Sequence, residues 1–90
     1  MNAFIVTYNL DNNETSYPLI SKKLKSYGKW AKPFERTWII KTDKSAVEVR
    51  DELASSIHNN GSILVMNVSG VAWATSRVNT KVNDWLHGNV

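Results

Sequence analysis

The sequence predicts an α+β fold, an antiparallel four-stranded sheet with two helices packed on one face. Three observations predict it. Short runs rich in β-branched and aromatic residues, such as Phe4-Ile-Val-Thr-Tyr8 and Thr37-Trp-Ile-Ile40, read as strands. Two longer stretches, about 17–27 and 46–57, repeat apolar residues at helical spacing. Glycines, prolines and a polar cluster separate these segments. The resulting order, βαββαβ, is that of the ferredoxin-like arrangement, which buries two helical stripes against one sheet face.

The first strand spans residues 4–8 and runs into a polar, turn-rich stretch from Asp11 to Ser16. Helix one is expected to begin with Ser16 or Tyr17 near its cap and Pro18 in its first turn, where a missing N–H is harmless. Tyr17, Ile20, Leu24 and Tyr27 then share one face, and Gly28 ends the helix. A short strand over 29–32 follows, which Pro33 assigns to a sheet edge or a turn. The third strand covers 36–42. Helix two starts at Ser45, with Glu48 completing a capping box, buries Ala46, Val49, Leu53 and Ile57, and is closed by Asn60-Gly61. A fourth strand over 62–68 lies antiparallel beside the first. A fifth short strand at 71–74 and a terminal helix over 79–86, with Val82, Trp85 and Leu86 on one side, complete a single domain of 1–90, its core at about 3–69.

Strand periodicity separates the first strand into two faces. Phe4, Val6 and Tyr8 turn toward the helices, whereas Ala3, Ile5, Thr7 and Asn9 lie on the opposite side. That second face needs a cover, and a second copy of the chain is the expected one. A homodimer interface is thus placed at Ile5, Thr7 and Asn9. Trp38, mid-strand, belongs to the core or to that interface, and Trp73 and Trp85 anchor the appended strand and helix on the sheet, within the chain or across the dimer.

A chain of 90 residues forms one domain and buries about 60–65% of the surface that its unfolded form exposes. It has no cysteine, which excludes disulfides and thiolate metal sites and suits a reducing cytoplasm. No apolar run has the length of a signal peptide core or membrane span. The net charge of +3 is unevenly spread. From Lys22 to Lys44, eight basic residues stand against Glu35 and Asp43, a local balance of +6, so the remainder sums to −3. Such asymmetry favours an anionic partner, nucleic acid first, against the plainer reading of a solvated lysine face. Lys22, Lys25, Lys29, Lys32 and Arg36 are the candidate phosphate contacts. Trp30, between two of these lysines, either stacks on bases or covers the sheet edge.

The segments "VTYNL", "LKSYGKW", "RTWIIKTDKSAVEVRDEL" and "ILVMNVSG" are together similar to the SinR-family small proteins. These resemble the small CRISPR adaptation protein (Cas-two) and, more distantly, VapD-type ribonucleases. The likeness spans about residues 3–75. It implies a ferredoxin-like homodimer that contacts DNA or RNA and, in some members, cleaves phosphodiester bonds with a divalent metal. In those members the first strand ends Tyr-Asp-Leu, and the paired aspartates of the dimer share the ion. The matching position here is Asn9, between Tyr8 and Leu10.

Asparagine offers a neutral carbonyl where a hard ion such as magnesium wants a carboxylate. Asp11 lies two residues further and returns to the same face only if the strand continues; otherwise it caps its own turn. Asn9 and Asp11 are accordingly the residues of a degenerate metal site, and magnesium or manganese is expected only if the chain is a nuclease. His58 and His87 lack neighbours at zinc-ligand spacing, no Gly-x-Ser-x-Gly elbow occurs, and the four glycines form no phosphate loop. Three functions stay open: a nucleic-acid-binding homodimer with weak or no nuclease activity, a metal-dependent endonuclease, and a protein-interaction module docking through a sheet edge or the C-terminal tail. No small-molecule cofactor and no membrane partner is expected.

Overall fold

The first strand, β1 (Asn2–Leu10), lies between two others, so its backbone groups are paired along both edges while its apolar side chains are buried on both faces. In the computed structural model, which describes residues 1–90, the elements run β1, α1 (Asn13–Lys25), β2 (Lys29–Phe34), β3 (Thr37–Thr42), α2 (Ala46–Ser56), β4 (Gly61–Asn67) and α3 (Thr80–Asn89). The sheet order is β2-β3-β1-β4 and every neighbouring pair is antiparallel. The first and fourth strands do lie side by side, with Val6 opposite Val65. Pro33 is tolerated because β2 is an edge strand, and the β2–β3 register shifts between Ala31 and Phe34.

The main core forms on the helix face. Phe4, Val6 and Tyr8 of β1, Trp38 and Ile40 of β3, Ile20 and Leu24 of α1, and Val49, Leu53 and Ile57 form one buried cluster. These are the stripes that periodicity selects. Trp38 is fully buried, and its indole N–H donates to the Tyr8 hydroxyl at 3.0 Å. It is therefore a core residue: of its two expected places the core holds, and the dimer interface is corrected. A ring that large, with its one polar group satisfied internally, has nothing left to present outside.

Several boundaries move for identifiable reasons. Helix α1 starts at Asn13, because the Asn12 side chain accepts from the Glu14 and Thr15 amides and caps the helix before Ser16 is reached. Pro18 then falls inside the helix, and Ser16, expected near the cap, is buried within it. The capping role expected of Asp11 belongs to Asn12; Asp11 sits on a bend, its amide bonded to the Asn60 carbonyl at 3.0 Å. Tyr27 lies beyond the end of α1 but still packs on the core, and Gly28 takes φ +87° as expected. Helix α2 carries the Ser45/Glu48 capping box. The left-handed residues after it are His58 and Asn59, while Gly61 opens β4.

The expected fifth strand is absent. Residues 71–74 belong to an irregular strap, 68–79, anchored at its start where the Val68 amide donates to the Ala3 carbonyl and the Ser69 hydroxyl accepts from the Ala3 amide. The strap crosses the second sheet face, and α3 packs there too. Ala3, Ile39 and Leu86 form a small buried cluster, with Ile5, Val68, Trp73, Val82 and Trp85 against it. Much of the face assigned to a second copy is thus covered by the chain's own C-terminal helix. Ile5, expected at a dimer interface, and Trp73, expected to anchor within the chain or across the dimer, are half-buried under that cover. The cover is loose: a cavity of about 290 Å³ remains between Ile5 and Ile39 of the sheet and Val71 and Trp73 of the strap. No helix is long and apolar enough to cross a membrane.

Candidate nucleic-acid interface

The last turns of α1 and the outer strand β2 lie close together, and most of the basic stretch is displayed there. Helix α1 places Ile20 and Leu24 inward, which forces Lys22 and Lys25 outward on the same helix. Lys22 and Lys25 line a shallow groove with Tyr17, Pro18 and Ser21. Strand alternation sends Trp30 and Lys32 to the helix side of the sheet. The Lys25 ammonium stands 5.6 Å from the centre of the Trp30 ring. That of Lys32 lies 4.8 Å from the Tyr17 ring and 5.3 Å from the Trp38 ring, and it donates to the Tyr17 hydroxyl. Trp30 is half-buried, 5.1 Å from Trp38 between ring centres, and packs on the main core.

Lys22, Lys25, Trp30 and Lys32 are therefore gathered into one ridge, and Tyr17 joins them. Lys29 and Arg36 are not part of it. Lys29 begins β2 on the opposite face, across from Lys41, and Arg36 occupies the exposed turn between β2 and β3. With a rise of about 3.3 Å per residue, β2 separates the two by roughly 20 Å.

Electrostatics divide the eight basic residues of 22–44 into two groups. Lys23 and Lys44 both pair with Glu52 on α2, Lys23 at 3.3 Å. The Tyr27 hydroxyl donates to the same carboxylate at 2.8 Å. The bond from Lys44 holds the Glu52 carboxyl down at about 2, while burial beside that carboxylate pushes the Tyr27 phenol well above its ordinary range. Lys22, Lys25, Lys29, Lys32, Arg36 and Lys41 have no carboxylate partner. Glu35 and Asp43, the acids nearest in sequence, neutralise none of them.

Composition alone did not distinguish the paired lysines from the free ones, since Glu52 lies well downstream of both. Nor did it show Tyr17 as a partner of Lys32, fifteen residues away. Burial also raises the Tyr8 phenol, whose oxygen receives the Trp38 bond.

The second candidate site is the tip of β1. Asn9 is exposed and pairs with Ser62, and Thr7, Asn9, Ser62 and Leu64 border a shallow hollow. Asp11 lies past the strand end on an exposed bend. Nowhere do three histidine, aspartate or glutamate side chains gather at metal-binding spacing. Within this chain an amide and one carboxylate beyond the strand end do not make a fit for magnesium, which is held through carboxylates. The strands approach closely here: a β-carbon on Gly61 would lie 2.8 Å from the Asn9 carbonyl oxygen. No protein-family model, curated protein or solved structure matches this chain.

Proposed function

We propose that the protein is a nucleic-acid-binding homodimer that grips phosphates with the α1–β2 ridge and lacks strong nuclease activity. The observation that carries this reading is the set of six unpaired cations within 22–44, three of which, Lys22, Lys25 and Lys32, flank Trp30 and Tyr17. A polyanion would supply the missing counter-charge, and the exposed parts of the two rings offer a surface for bases. The sheet order, with β1 between β3 and β4 and α1 and α2 on one face, supports a ferredoxin-like assignment. The neutral Asn9–Ser62 pair at the strand tip supports a degenerate metal site.

Fluorescence anisotropy with labelled single- and double-stranded oligonucleotides tests the reading. Affinity should fall with salt at a slope of about −0.9 per phosphate contacted on duplex DNA. A Lys25→Ala/Lys32→Ala double variant should reduce that slope by about 2. Absent or salt-insensitive binding overturns the proposal. Cleavage that needs magnesium or manganese, and disappears in Asp11→Ala, replaces it with the endonuclease reading.

A further inference from the structure

The two edges of the sheet are guarded very differently. Edge β2 carries Lys29, Lys32, Pro33 and a register shift, all features that resist pairing with another strand. Edge β4, Gly61–Asn67, has no charge and no proline, and keeps an unbroken register along β1. Ladder bonds bracket that register, from the Val68 amide to the Ala3 carbonyl and from the Asp11 amide to the Asn60 carbonyl. Antiparallel alternation therefore turns the backbone groups of Ser62, Leu64 and Met66 toward β1 and aims those of Ile63, Val65 and Asn67 away from the sheet. Leu64 and Met66 are 51% and 52% exposed, on the part of the face that α3 leaves uncovered. A seven-residue, uncharged strand with free hydrogen-bonding groups is a template for another strand.

We infer that this edge is filled by β4 of a second copy, antiparallel about a two-fold axis at Leu64, so that two four-stranded sheets join into one. The inference rests on the homodimer reading and specifies where the copies meet. About that axis each outward-aimed group faces another outward-aimed group: Ile63 pairs with Val65 of the second copy, and Gly61 with Asn67. Leu64 lies opposite its own equivalent, and small Ser62 lies opposite long Met66. No charges meet along the paired strands. Val47 of α2, 56% exposed beside β4, gains cover from the same approach. The guarded β2 edge means that pairing stops at two copies, where an unguarded one would propagate into a filament.

The chain contains no cysteine, which makes the test direct. In a symmetric pair the two Leu64 positions form a non-hydrogen-bonded rung, with Cα atoms about 4.5 Å apart, within disulfide reach. Leu64→Cys should become a covalent dimer on mild oxidation. Leu64→Lys, which opposes two charges on the axis, should raise the dimer dissociation constant at least tenfold in sedimentation equilibrium, with an unchanged circular dichroism spectrum. A wild-type dimer whose Leu64→Cys variant does not cross-link overturns edge pairing and leaves the homodimer reading standing. A wild-type monomer at all accessible concentrations overturns both, and leaves the β4 edge to an extended segment of another protein.

Discussion

Trp38 and Tyr8 form the most tightly constrained pair in the molecule, joined by a 3.0 Å bond inside the core. Tyr8→Phe keeps the ring and leaves the Trp38 N–H buried without an acceptor. We expect a loss of about 1–3 kcal/mol in urea unfolding, more than the removal of one exposed hydroxyl would cause. Glu52 offers a second measurement. Its carboxyl falls from an ordinary 4.5 to about 2 in the folded protein, so its stabilising effect is complete above about pH 4.5 and fades as pH drops toward 2. With the Lys23 and Lys44 side chains partly exposed, that effect is about 1 kcal/mol after screening. Glu52→Gln should flatten stability against pH in that window while leaving its shape above pH 5 unchanged. Much at this scale was legible beforehand: alternation assigned Phe4, Val6 and Tyr8 to the helix side. The Glu52 network was not, because spacing along the chain carries no information on charges brought together from α1, α2 and the turn after β3.

Helix α1 shows where local signals compete. Pro18 suggests a helix beginning near residue 17, yet the Asn12 cap starts it at Asn13, and the donor that proline lacks would have served the exposed first turn at Glu14. Asn12→Ala should cost about 1 kcal/mol, read from the shift in the denaturant midpoint at constant slope. The α2 boundary was legible because Ser45 and Glu48 carry a complete reciprocal cap. The tail was legible only as a helix with Trp85 and Leu86 on one side. Which surface that side would cover depends on the path of the 68–79 strap, and the period of α3 is silent on it. Since Leu86 is the one buried residue of α3, Leu86→Ala should release the helix before the sheet. Hydrogen exchange would then accelerate over 80–90 while the β1 and β3 amides stay protected.

At the scale of the whole molecule, charge and shape are separated. The net negative balance falls outside the basic stretch, and the one acid of α2 that pairs with it, Glu52, neutralises Lys23 and Lys44. The ridge of Lys22, Lys25 and Lys32 was legible as a charge excess but not as a ridge, since alternation along β2 puts Lys29 on the other side and Arg36 at the far end. One missing methyl group sets the aperture at the other end of the sheet. With the Asn9 carbonyl so near Gly61, even alanine would wedge the last rungs of β1 and β4 apart and carry the Asn9 amide outward. Gly61→Ala should cost about 1–3 kcal/mol and quicken exchange at Asn9 and Asp11, with the Ile5–Met66 end of the ladder still closed. The closure of the sheet at this end has a tolerance of about one carbon atom.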